Sequence, residues 1–82
     1  MLLNNYTKKI LFYLNKPHVN LCMYDVSKNI NITYAALCKK IHTFEQKGFV
    51  TLRKDGVKMI VSLTQKGKEI TELLYKLDRL LK

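Results

Sequence analysis

The chain has 82 residues, enough for one small domain and too few for two. Hydrophobic residues make up 48% of it, which argues against disorder, and no apolar run approaches the ~18 residues of a membrane span. Fifteen Lys and Arg against six Asp and Glu give a formal net charge of +9, so an anionic partner is expected, either nucleic acid or a membrane surface.

From residue 5 to 15, Tyr6, Ile10, Leu11 and Leu14 recur at helical spacing, and Pro17 closes the segment. The N-terminal stretch MLLNNYTKKILFYL carries Asn and Lys where a secretory signal would be apolar, so a cytoplasmic protein is expected. Cys22 and Cys38 are then most simply reduced, buried small hydrophobes; a disulfide between them would suit a hyperthermophilic source. Residues 20–23 (NLCM) suit a short strand. Tyr24 to Asn29 follow as a brief helix, with Val26 and Ile30 four residues apart. Asn31 to Thr33 make a turn, and Thr33 is placed to cap a longer helix over 34–47. Ile30, Tyr34, Leu37, Ile41 and Phe44 are spaced four, three, four and three, which puts Tyr34, Leu37, Ile41 and Phe44 on one stripe of that helix. Gly48 stands where a helix C′ residue would.

Two strand-like runs follow, about 49–53 and 57–63, joined at Asp55-Gly56, the dipeptide suited to a two-residue type I′ turn. Thr64 is placed to cap a last helix over 65–81. The expected fold is mainly α with a small β-sheet (α+β): a helix-turn-helix followed by a hairpin wing. It forms a single domain over residues 1–82, with a core at about 5–67 and a C-terminal dimerisation helix at about 65–82.

With Leu37 at the centre of the buried stripe, helical phase sends Ala35, Lys39, His42, Thr43 and Gln46 to the opposite face, flanked by Ala36 and Lys40. Small residues at the start of this face, beside Thr33, let a backbone approach a DNA groove. Lys39 can reach guanine O6 and N7, and Thr43 and Gln46 can bond bases or phosphates. Taken alone, such a face is more simply an ordinary solvated one. The hairpin adds Arg53, Lys54 and Lys58 on the next element, so that two adjacent elements carry the cations of a phosphate-facing surface.

FEQKGFV (44–50) and SLTQKG (62–67) resemble the winged-helix cores of MarR-type transcription regulators. In that family the recognition helix runs into Leu-Glu-x-x-Gly-Leu-Val and the wing returns into Leu-Thr-x-x-Gly. Phe44, Glu45, Gly48, Phe49 and Val50 match the first pattern with Phe twice for Leu, and Leu63, Thr64 and Gly67 match the second. The resemblance covers about residues 8–70. It implies a groove-reading face at Ala35, Ala36, Cys38 and Lys39, although helical phase puts Cys38 nearer the core edge. The family's wing carries Asp-x-Arg, with the Arg in the minor groove. Here Asp55 matches and Val57 stands in the Arg position, so Arg53, Lys54 and Lys58 are expected on backbone phosphates instead. Full-length members have further helices around a ligand pocket. This chain is about half their length and is closer to the minimal winged-helix proteins of archaea, plasmids and viruses.

Ile70, Leu73, Leu74, Leu77, Leu80 and Leu81 form a broad stripe on the last helix. All six are expected to line a dimer interface, with Ile70, Leu73 and Leu74 also closing the core. The rest extends past so small a core, and the spacing 70, 73, 77, 80 suits a coiled-coil seam, so a homodimer is expected, with Tyr6, Phe12 and Tyr13 beside the interface. A different partner protein is the alternative.

His18 with Cys22, and Cys38 with His42, have ligand-like spacing. The first pair lies in an extended stretch spanning about 13 Å, too far for one ion unless the chain turns, so no metal is expected. No phosphate loop and no paired carboxylates are visible, so neither an enzyme, nor a cofactor, nor a small-molecule ligand is expected. The sequence thus points to a homodimer that binds double-stranded DNA and regulates transcription. The rivals are an architectural DNA-coating protein of the same fold and a winged helix used only to bind other proteins.

Overall fold

A computed structural model of the protein describes residues 5–16 and 22–81. Helix α1 (Asn5–Leu14) is followed by α2 (Met23–Asn29), α3 (Tyr34–Gln46), strands β1 (Val50–Asp55) and β2 (Lys58–Leu63), and the long α4 (Gln65–Leu81). Apolar residues from every element meet in one core. Ile10, Leu11 and Leu14 of α1 pack with Val26, Leu37, Ile41, Phe44, Val50, Val61 and Leu74. Burial of these side chains, worth roughly 1.5–3 kcal/mol each, holds the helices around the base of the hairpin.

The stops between elements are chemical. Asn31 adopts a left-handed φ of 56° after α2, its N–H donating to the Lys28 carbonyl and that of Ile32 to the Ser27 carbonyl. This double bond pattern closes the helix end and turns the chain sharply into α3. Thr33 caps α3 by accepting from the Ala36 N–H at 3.2 Å. At the other end of α3, Gly48 takes φ 80°, its N–H donates to Glu45 and that of Phe49 to Phe44. The Phe44 and Phe49 rings meet across this cap with centroids 6.3 Å apart.

Four details differ from the sequence expectations. β1 and β2 pair antiparallel from Val50↔Leu63 to Asp55↔Lys58, so the two loop residues are Gly56 and Val57 rather than Asp55 and Gly56. Gly56 has φ 63° and Val57 does not share a positive φ, which is the type II′ arrangement with glycine first. The expected strand at 20–23 is reduced to an antiparallel bridge from Cys22 to Ile60; Met23 already belongs to α2, and Asn20 and Leu21 lie outside the described residues. Tyr34 is 47% exposed at the start of α3, so the buried stripe of that helix begins at Leu37. Leu73 is 59% exposed and takes no place in the core, which Leu74 and the half-buried Ile70 close instead. Pro17 and His18 also lie outside the described residues.

Candidate nucleic-acid interface

α3 buries Leu37, Ile41 and Phe44, and this fixes what it offers to solvent. Ala35, Lys39, His42, Thr43 and Gln46 are all exposed on the far side, with Ala36 and Lys40 half-buried along its edges. Two of these side chains are braced along the helix. The Thr43 hydroxyl donates to the Lys39 carbonyl at 3.2 Å, and Gln46 Nε2 lies 3.3 Å from His42 Nε2. Cys38 is half-buried against the core, so its thiol is at the edge of this face and not on it. The Tyr34 phenol has its pKa pushed up, first by partial burial and then by the neighbouring Cys38 thiol.

The hairpin leaves the domain directly after α3. Its base is buried through Val50, Ile60 and Val61, whereas Arg53, Lys54, Asp55, Gly56, Val57 and Lys58 are all exposed. In register, Arg53 lies opposite Ile60, Lys54 opposite Met59, and Asp55, the one carboxylate at this end, opposite Lys58. Three cations therefore stand on a two-stranded finger.

The angle between helix and finger is set at one junction. The Phe49 carbonyl accepts from the Thr64 N–H at 2.9 Å, and the Thr64 hydroxyl donates to the Gly48 carbonyl while accepting from the Gly67 N–H at 3.0 Å. Thr64 thus joins the end of α3 to the start of α4. Gly67 is buried against this carbonyl, and a Cβ there would run into the Phe49 oxygen. The junction also shows two cations that the sequence patterns passed over. Lys47 is exposed at the α3 C-cap, and Lys66 lies with its Nζ 5.6 Å from the centre of the Phe49 ring. Lys66 Cδ lies 3.9 Å from where a Cβ on Gly48 would stand, so both cations sit at the end of α3 where the finger begins. Lys66 sits inside the SLTQKG motif, immediately before Gly67, and that place in the motif was the available signal.

Among the described residues no three His, Cys, Asp or Glu side chains gather to hold a metal, and Cys22 and Cys38 are free thiols. No helix there is long and apolar enough to cross a membrane.

α4 leaves the core with Gly67, Thr71 and Leu74 turned inward. Leu74 is 7% exposed, so it serves this chain's own core and is not offered to a partner in the way the stripe suggested. Leu73, Leu77, Leu80 and Leu81 are exposed. Of the aromatic residues expected beside them, Phe12 stacks on Tyr75 at 4.1 Å, the Tyr13 hydroxyl accepts from Asn29 Nδ2 at 2.8 Å, and Tyr6 is exposed.

A family model described as a winged helix DNA-binding domain matches residues 8–80. No curated protein sequence matches the chain. Among solved structures, the fold is similar to AF1382 from Archaeoglobus fulgidus, with a TM-score of 0.86 at 20% identity over 99% of this chain and 93% of that one. It is also similar to MepR, a transcription regulator of the Staphylococcus aureus multidrug efflux pump MepA, with a TM-score of 0.85 at 20% identity over 94% of this chain. The match spans 59% of MepR. A MepR variant bound to an oligodeoxyribonucleotide matches 95% of this chain and 62% of its own, with a TM-score of 0.79 at 19% identity.

Proposed function

From the premise that the chain belongs to the winged helix DNA-binding domain family, we propose that it is a transcription regulator that binds double-stranded DNA sequence-specifically as a homodimer. α3 enters the major groove with Ala35, Ala36, Lys39, His42, Thr43 and Gln46 toward base edges, and Thr33 and Lys40 at its borders. The finger holds backbone phosphates through Arg53, Lys54 and Lys58. What supports this reading is that the outer row of α3 and the cations of the finger that follows it are all exposed, with Glu45 and Asp55 the only carboxylates between residues 33 and 58. That MepR is a transcription regulator, and that a variant of it is bound to an oligodeoxyribonucleotide, supports the same use of the fold.

A two-fold dimer through the exposed leucines of α4 would present two such helices about 34 Å apart, one turn of duplex. Selection of bound duplexes from a random pool tests the proposal. A regulator enriches a two-half-site sequence and prefers it over random DNA by ~10³ or more. Binding without enrichment points to the architectural rival, and no retained duplex points to a protein-interaction module.

A further inference from the structure

Helix α1, the turn after α2 and helix α4 wall an open groove of about 520 Å³, and no residue of α3 or of the finger lines it. Its floor is apolar. Phe12 stacks on Tyr75 with ring centroids 4.1 Å apart, and the half-buried Ile30 lines it as well. Its edges are rich in hydrogen-bond donors. Lys9 and Lys16 stand on the α1 side, seven residues or about 10 Å apart along the helix. Their Nζ atoms lie 5.8 and 5.0 Å from the ring centres of Tyr6 and Tyr13, and neither is paired with a carboxylate among the described residues. The Tyr13 hydroxyl accepts from Asn29 Nδ2 at 2.8 Å, which leaves its own O–H free to donate. Asn29 Oδ1 and the Asn31 side chain have no partner among the described residues. Among those residues no carboxylate lines the groove. Asp25, Lys28 and Lys76 are exposed outside it. Glu72, Asp78 and Arg79 border a separate hollow that shares the Phe12–Tyr75 stack, and Lys8 binds Asp78 at 2.9 Å.

We propose that this groove docks an extended acidic segment of another protein, with one aromatic residue between two carboxylates. Alternate residues of an extended chain share a face, so an acid, a ring and an acid at every second position span about 13 Å. Two flexible lysine side chains rooted about 10 Å apart meet such a pair of carboxylates. The ring between them lies on the Phe12–Tyr75 floor. The Tyr13 O–H, Asn29 Oδ1 and the Asn31 amide then bond the segment's main chain, which offers both donors and acceptors. The unpaired cations set the sign of the partner. The open form sets its kind: sites for small molecules enclose about 70–90% of the ligand, whereas an extended chain needs cover on one face only. Because α3 and the finger take no part in the groove, the segment docks while they hold DNA.

The probe is the peptide Gly-Glu-Ser-Phe-Ser-Glu-Gly, titrated into the intact ¹⁵N-labelled protein and followed by amide chemical shifts. Shifts are expected at Lys9, Tyr13, Lys16, Asn29, Asn31 and Tyr75, with Lys39, Arg53 and Lys54 unmoved. Exchanging both Glu of the peptide for Gln, or its Phe for Ala, is expected to weaken binding several-fold. Lys9→Glu with Lys16→Glu, both at exposed positions, is expected to weaken it about tenfold or more, because attraction becomes repulsion at both ends. Circular dichroism checks that this variant folds, and the peptide series on the unaltered protein decides the matter if it does not. Equal binding of the Glu and Gln peptides, shifts confined to α3 and the finger, or no shift at about 1 mM peptide each overturns the proposal. Benzoate that moves the same amides as strongly as the peptide at equal concentration means that a small anion suffices, and overturns it too. So does a duplex that shifts the groove residues and displaces the peptide, which makes nucleic acid the occupant. Loss of the groove by any of these results leaves duplex binding through α3 as a separate question, read at Lys39, Arg53 and Lys54.

Discussion

Replacing Gly67 by Ala sets two principles against each other. Gly67 lies in the first turn of α4, where helix propensity favours Ala by about 0.8–1.0 kcal/mol. The site has no room for it. A Cβ would run into the Phe49 carbonyl oxygen and come within 3.0 Å of Leu63 Cδ2. That carbonyl is not free to move, because it accepts the Thr64 N–H at 2.9 Å and so holds the finger to α4. Overpacking costs about 1–3 kcal/mol, and displacing the Thr64 bond about 1 kcal/mol more. The clash outweighs the propensity, leaving a net loss of about 1–3 kcal/mol. For a domain of this size that lowers Tm by about 4–8 °C per kcal/mol. Thermal unfolding followed by far-ultraviolet circular dichroism measures it, with Lys68→Ala on the exposed face as a control expected within about 0.5 kcal/mol of the parent. A Tm for Gly67→Ala equal to or above the parent's would refute the junction as described.

Thr64→Ala removes both the α4 cap and the donor to Gly48, and chemical denaturation is expected to show a loss of about 1–2 kcal/mol with an unchanged m-value. Lys39→Ala should weaken a selected duplex by about 1–3 kcal/mol while hardly affecting random DNA; equal losses on both would favour the architectural rival. Arg53→Ala or Lys54→Ala should instead weaken both duplexes alike and make the salt slope shallower by about one unit. Leu77→Lys with Leu80→Lys should leave a folded monomer in sedimentation, with much weaker binding to a two-half-site duplex.

Most of the fold was legible because its boundaries are written in residues with one dominant use. Thr33, Gly48 and Thr64 each stop or start an element by a local hydrogen bond, and local chemistry survives any tertiary context. The resemblance carried by FEQKGFV and SLTQKG has a physical basis in the Phe44–Phe49 helix cap and in the Thr64–Gly67 junction that receives it. The outer row of α3 followed from phase alone once Leu37 was set inward.

What was missed depended on neighbours outside the segment. Asp-Gly signals a turn, but the Val50↔Leu63 register moves that turn one residue on, to Gly56-Val57. Tyr34 and Leu73 fit the apolar spacing of their helices, yet both are exposed, because spacing does not say where the packing around a helix stops. Cys22 keeps only a single bridge to Ile60, too little to count as a strand by pattern. Lys66 stands over the Phe49 ring because α4 starts beside the end of α3, a placing that no periodicity encodes.

The central claim is that the α3 face and the finger together hold a DNA duplex. The most direct test is the affinity of the intact protein for a labelled duplex, measured by fluorescence anisotropy across a series of salt concentrations. With Lys40, Arg53, Lys54 and Lys58 on phosphates in both copies, roughly 6–8 contacts give a log–log slope near −0.9 per contact, and affinity falls about 10³–10⁴-fold between 50 and 200 mM salt. A flat salt response, or no duplex binding at the lowest salt, would contradict the account.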